Sequence, residues 1–332
     1  MLRHRQPDIA RCLGRLPLPA IRGWPLVLAA LALAAAQPAH GHGIAGNRYF
    51  PGTLTFDDPA VADELLFAPA SLVHPGNGTD VRDTSVGWSF MRLLTPDLAV
   101  GASGGWIERA PDFFPAQAGV DQTSLTIKKL LYKNEPHEAL VSAGLTWAIG
   151  GSGSQRVGAN APDTLVPGIF FGKGLGDLPD GLAWLRPFGI AGAVALDVPA
   201  SGSAVNFGLD PSTGRYGPIL TPFVETLHWG FAIEYSTYYL TSRFTGRPPK
   251  EEPLHQLVPL VEFSFDSPRG QKTAATMNPG LSYVADTWQV AGEVIVPLNR
   301  EGGRGLGVRT QLLFFLDDLI PSVFGKPLLT GK

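Results

Sequence analysis

From Trp288 onward the chain alternates. Trp288, Val290, Gly292, Val294 and Val296 occupy one parity, and Gln289, Ala291, Glu293 and Ile295 the other. A period of two is that of a β-strand with unlike faces. The run Leu281 to Ala285 meets this segment across Asp286-Thr287, and Leu306 to Leu316 follows a glycine-rich link, so three strands meander antiparallel. In the last of them Leu306, Val308, Thr310, Leu312, Phe314 and Leu316 share one side, opposite Arg309. If that side met lipid, a cation on it near the bilayer midplane would cost about 2–4 kcal/mol, and a carboxylate less. Register follows from that penalty.

The same pattern extends over most of the chain. Strands are expected near 64–73, 84–94, 98–109, 123–133, 137–150, 164–175, 182–198, 225–243, 254–266, 276–285, 288–298 and 305–316. Most exceed the ~5–6 residues of a soluble strand and match the ~9–11 needed to cross a bilayer at a tilt. Alternation is clear where Val141, Leu145 and Trp147 oppose Ser142, Gly144 and Thr146, and where Leu227, Trp229, Phe231 and Ile233 oppose His228, Gly230, Ala232 and Glu234. Tight connections (Thr95-Pro96-Asp97, Asn134-Glu135-Pro136, 178–181, Asp286-Thr287) alternate with long polar ones (110–122, 151–163, 199–218), as periplasmic turns and external loops do. Pro69 weakens the first strand, because proline removes a ladder donor. Counting it gives twelve strands with both termini on one side, and omitting it leaves eleven; ten or fourteen are the other counts. The expected fold is all-β: one up-and-down antiparallel transmembrane β-barrel of about twelve strands, spanning 64–317.

The two ends of the chain differ from this. Arg3, Arg5, Arg11, Arg15 and Arg22 precede the apolar run Pro25 to Ala36, and small residues end near Gly41, which is the pattern of a cleaved signal peptide over 1–41. Twelve apolar residues fall short of the roughly 20 that span a bilayer as a helix. Cleavage after Gly41, after Ala39 or at Ala34-Ala35-Ala36 would each fit. Residues 42–63 read as a periplasmic N-terminal arm with a short helix beginning at Asp57-Asp58-Pro59, folded against the barrel end or into its lumen. Residues 318–332 form a C-terminal tail.

Composition narrows the chemistry. Loss of the leader removes five arginines and one aspartate, taking the net charge from −3 to −7. An acidic exported chain without a basic stripe is a poor nucleic-acid ligand. Cys12 is the one cysteine and lies in the leader, so the mature chain has no disulfide, thiolate metal site or cysteine nucleophile.

Three segments resemble a known family: Met277-Asn278-Pro279-Gly280-Leu281-Ser282-Tyr283, Trp288 to Asn299, and Phe315-Leu316-Asp317-Asp318-Leu319-Ile320-Pro321. With Asn47-Arg48-Tyr49-Phe50-Pro51 and Asp57 to Glu64, they are similar to bacterial outer-membrane barrels classed as transporters of the meta-pathway phenol-degradation type. The resemblance implies an outer-membrane barrel that passes small solutes, aromatic or hydrophobic ones among them. It carries no catalytic or binding residues to transfer. Many barrels end on an aromatic residue, whereas here a tail follows Phe315.

Glu234, Glu262, Glu293 and Arg309 fall on the polar parity of strands close in sequence and should face the lumen. Such a row sets ion or solute preference in a pore, or else forms a structural ion-pair network closing a narrow barrel. Gly101-Ala102-Ser103-Gly104-Gly105 matches a nucleophile pattern, but that motif needs a strand-to-helix elbow and here sits within a strand. His40-Gly41-His42 would offer a square-planar Cu(II) or Ni(II) site only if cleavage followed Ala39. Asp57, Asp58, Asp63 and Glu64 lack the spacing of a calcium loop. Asn77-Gly78-Thr79 reads as an external turn, and 151–154 as a flexible external loop. No catalytic residue, metal or cofactor is therefore expected. The partners expected are outer-membrane lipid, the barrel-assembly machinery and a small solute. The alternatives to a channel are a plugged, non-conducting barrel, an outer-membrane hydrolase and a soluble β-sandwich.

Overall fold

The computed structural model describes residues 43–75, 80–210, 215–239 and 256–329. The leader, His40-Gly41-His42 and Asn77-Gly78-Thr79 lie outside the described residues. Two short strands, β1 (Ile44–Ala45) and β2 (Arg48–Tyr49), form a hairpin before the main sheet. The sheet begins with β3 (Glu64–Pro75), β4 (Asp80–Thr95), β5 (Leu98–Pro111) and a short flanking strand β6 (Gln117–Val120). It continues through β7 (Ser124–Asn134), β8 (Ala139–Ala148), β9 (Thr164–Gly174) and β10 (Phe188–Pro199). A separate hairpin, β11 (Ser203–Asp210) and β12 (Arg215–Pro222), precedes β13 (Thr226–Tyr235). Then come β14 (Gln256–Pro268), β15 (Ala274–Val284), β16 (Trp288–Pro297) and β17 (Gly307–Phe315).

Every neighbouring pair is antiparallel, β17 pairs with β3 and β4 with β5, so twelve strands close on themselves. The strands formed at all twelve positions expected from the alternation. Pro69 is accommodated where the β17–β3 ladder is interrupted: Arg309 pairs with Ala70 and Leu312 with Phe67, with no pairing of the two residues between. A missing N–H costs nothing where no ladder bond is made. Pro279 sits beside a similar gap in the β15–β16 ladder, between the pairs Met277–Val296 and Gly280–Glu293.

Four expectations need correction. No helix forms at 57–63, which is extended and irregular: the Asp58 carboxylate accepts the Ala60 N–H at 2.7 Å, but Lys128 across the lumen takes the Asp57 carboxylate and the Asp58 carbonyl, so no helical turn follows. The strand expected from Leu182 starts at Phe188, since Asp180–Leu185 coils into 3₁₀ turns. The strand expected to reach Arg243 stops at Tyr235. The long loop after Pro199 contains the β11–β12 hairpin.

Sidedness follows the parity. Val294 is 39% exposed on the outer wall and Glu293, one residue earlier, is 5% exposed inside. The outer wall carries Trp106, Trp147, Ile169, Val194, Leu281 and Val308, all open to the surroundings. Stacked Trp229–Phe265 lies toward the end bearing the long loops, while Phe188–Tyr235 and Tyr283–Trp288 lie toward the end bearing the termini. Ser103 faces inward mid-strand on β5, paired with Ser89 and Ser124, and β6 follows rather than a helix.

Candidate functional site

The arm preceding β3 occupies the lumen. It starts at the termini end, rises to an apex at Leu54–Asp57 and returns to Asp63 at the rim. At its base the β1–β2 hairpin turns through Gly46, whose φ of +59° suits glycine and whose Cβ would strike the Glu135 carbonyl. Arg48 is buried there. It donates to the backbone carbonyls of Arg186, Pro187 and Phe188 at 2.7, 2.9 and 3.0 Å, and to the Glu138 carboxylate at 3.5 Å. Burial pulls the guanidinium down from its ordinary value while Glu138 opposes that shift. Burial likewise pushes Glu138 up, against the pull of Arg48.

Above the hairpin the arm lies against the wall. Phe50 packs with Leu140 and Ala191, where Gly172 leaves room for its ring. Tyr49 donates its hydroxyl to Gln289 at 2.6 Å, and Gln289 also accepts from the Gly52 N–H and donates to the Gly52 carbonyl. The chain has no ladder of its own here, so wall side chains supply the partners that its backbone requires.

The four residues expected in the lumen are all there. Glu262 on β14 accepts the backbone N–H groups of Leu54 and Thr55, each at 2.8 Å. Arg309 on β17 donates to Glu293 on β16 at 2.9 Å and to the Thr55 hydroxyl at 2.8 Å. Asn278 on β15 donates to the same hydroxyl at 2.9 Å. These three charged residues thus converge on Thr55. Glu234 on β13 stands apart. It is buried without a hydrogen bond among the described residues, and it is paired in register with Gly189, over which the Arg48 guanidinium lies.

Three polar residues outside those four also bond to the arm. Lys128 on β7 donates to Asp57 at 2.8 Å and to the Asp58 carbonyl at 2.6 Å, and it lies 4.7 Å from the centre of the Phe170 ring. Gln289 and Asn278 are the other two. All three lie on inward parity, the one signal that could have marked them.

Burial divides the lumen into two zones. Toward the termini Glu262 and Lys128 are covered by the arm, with 0% and 3% exposure. One inward step toward the loops, Ser264 and Thr126 are half-exposed, as are Leu54, Thr55 and Phe56 at the apex. The loop-side mouth carries two ionic clusters: His228 between Asp197 and Asp266 at 3.0 and 2.6 Å, and Arg109 on Asp83 at 2.8 Å.

A closed antiparallel wall that is apolar outside and polar inside defines a transmembrane β-barrel. No family model and no curated protein matches the chain, so the meta-pathway relationship stands as a resemblance only. Among solved structures, an outer membrane channel from Pseudomonas putida F1 is similar at 11% identity and a TM-score of 0.49, covering 80% of this chain and 99% of its own. KdgM porin is similar at 11% identity and 0.41, covering 76% and 98%. NanC porin is similar at 9% identity and 0.39, covering 76% and 99%.

Proposed function

We propose that this chain is an outer-membrane channel through which small solutes pass passively, with the N-terminal arm as its constriction. The observation that carries this reading is the division of the lumen at Thr55: a solvent-reached vestibule on the loop side and an arm-filled half below. The apex, Leu54 to Asp57, is held by hydrogen bonds and an ion pair to the wall, whereas the base of the arm is fixed by apolar contacts of Ala45, Tyr49, Phe50 and Val61. Water can replace such bonds at small net cost, unlike buried apolar contacts. Entering solute would meet Leu54, Phe56 and Asp57 first, with Arg309 beside them. Phe56 and Phe170 at the vestibule floor support an aromatic or hydrophobic component among the solutes. Arg309, whose side chain is 23% exposed beside the apex, would bias ion preference, whereas Glu262 holds Leu54 and Thr55 in place.

Single-channel recording in planar bilayers tests this. Small conductance is expected from the intact chain, and larger conductance after Glu262→Ala loosens the apex. A second reading is a plugged barrel whose loops bind partners, favoured by the depth to which Glu262 and Asn278 are buried under the arm. Silence in both proteins would select it.

A further inference from the structure

Beyond Phe315 the chain turns through two short helices, α1 (Leu316–Leu319) and α2 (Pro321–Phe324), and runs on to Leu329. This tail lies on the outside of the barrel. Its Phe324 ring meets Phe90 edge-on at 6.2 Å, and Phe90 shares the outward parity of Trp88 and Val86 on β4. Arg92, also outward, donates to the carbonyls of Val323, Phe324 and Lys326 at 2.9, 3.2 and 3.0 Å, and its guanidinium lies 4.8 Å from the Phe324 ring centre. The N–H groups of Leu328 and Leu329 donate to the Leu93 and Leu94 carbonyls.

The tail's outer face is apolar. Leu319, Ile320, Val323, Leu328 and Leu329 are between 42% and 65% exposed, five such residues within eleven positions. A soluble surface scatters large apolar residues singly; a run of this density marks an interaction surface. We infer that this face is covered by lipid, and that the tail is an anchor lying in the headgroup region of the periplasmic leaflet.

Two features select lipid as the occupant. The tail continues the outer belt through the Phe90–Phe324 contact, at the end where Phe188–Tyr235 and Tyr283–Trp288 form an aromatic girdle. Its backbone groups near the wall are already paired by Arg92, Leu93 and Leu94, as an apolar environment demands. The depth is interfacial because exposed Lys326 lies between Val323 and Leu328, and its ammonium needs water.

This inference rests on the outer-membrane reading, and one experiment separates the two. The mature chain, which lacks Cys12, is spin-labelled singly at Val323→Cys, with Val294→Cys on the belt and Lys272→Cys on a loop as references. It is reconstituted in vesicles of phosphatidylethanolamine and phosphatidylglycerol. Val294 is expected to be relaxed by oxygen and not by a water-soluble nickel chelate, and Val323 to be relaxed by oxygen with nickel relaxation between the Val294 and Lys272 levels. If Val294 behaves so but Val323 responds to nickel like Lys272, the tail is in water and the anchor is overturned while the barrel's membrane location stands. If Val294 itself responds to nickel, both fall. Screening of Val323 from both reagents places a protein partner or a second copy there, and this too overturns the inference. Leu328→Cys provides the same readout should the Val323 variant fail to fold.

Discussion

Arg309 and Glu293 are direct cross-strand partners on β17 and β16, and their 2.9 Å ion pair closes onto Thr55 of the arm rather than onto open lumen. Removing one partner of a buried pair leaves an uncompensated charge, at about 3–5 kcal/mol when burial is complete. The Arg309 side chain is 23% exposed, which brings the expected loss for Arg309→Ala to about 2–3 kcal/mol. Urea unfolding in vesicles should show this loss, and Glu293→Gln added to Arg309→Ala should restore part of it. An unchanged ion selectivity alongside the loss would assign the pair to holding the arm alone.

Glu262 offers a test of how the arm is retained. Its carboxylate accepts two backbone N–H groups, and a hydrogen bond to a charged group is worth about 1.5–3 kcal/mol. Glu262→Ala strips both acceptors from Leu54 and Thr55, so protease cleavage within 50–57 should quicken by at least tenfold, since each ~1.4 kcal/mol is a factor of ten. Glu262→Gln keeps one oxygen acceptor and should fall between the two. Cleavage at the parental rate in Glu262→Ala would show that Gln289 and Lys128 retain the apex without it.

The wall was legible in the sequence because each strand's identity depends on its own residues: a period of two tells Val294 from Glu293 without knowledge of neighbours. Parity also placed Glu234, Glu262, Glu293 and Arg309 inside. The arm's course was not legible, because nothing local fixes it. Thr55 is held by Glu262, 207 positions away, and Arg48 by carbonyls about 140 positions away. The expected helix failed for the same reason. Asp57-Asp58-Pro59 has good capping chemistry, and Asp58 does accept the Ala60 N–H, but Lys128 takes the Asp57 carboxylate and the Asp58 carbonyl. The β11–β12 hairpin was hidden by its glycine-rich setting, and Arg92 by its position: it reads as a rim charge until the tail folds over it.

The loop between β8 and β9 should respond to acid. Asp163 accepts the Gly150 N–H at 2.9 Å and the Trp147 indole N–H at 2.8 Å, and these bonds, the Gly150 one foremost, hold its carboxyl below the ordinary value. A depressed carboxyl contributes stability that is present above its unfolded value of about 3.9 and is lost as pH falls through the lower folded value. The Trp147 indole resonance should therefore titrate with a midpoint below about 3.9. Asp163→Asn should abolish that titration, and a midpoint above 3.9 would contradict the bonding.

Arg92 bonds to the arm and the tail at once from its place on the barrel wall. It donates to Asp63 at 2.7 Å, where the arm enters β3; it caps three tail carbonyls; and it belongs to β4. Asp63 is fully buried and spends its second oxygen on the Leu93 N–H. A planar guanidinium can address both sets of acceptors at once, whereas an ammonium on a flexible stem is a point charge. Arg92→Lys keeps the charge near Asp63 but cannot reach all the carbonyls, so it should cost about 1–3 kcal/mol. Arg92→Ala strands the carboxylate and should cost about 3–5 kcal/mol. Carboxypeptidase digestion of the folded barrel separates the two effects, since Arg92→Lys should already release the tail to the enzyme. Equal protection of parent and Arg92→Lys would mean that Phe324 on Phe90, with the Leu328 and Leu329 N–H bonds, suffices to hold the tail.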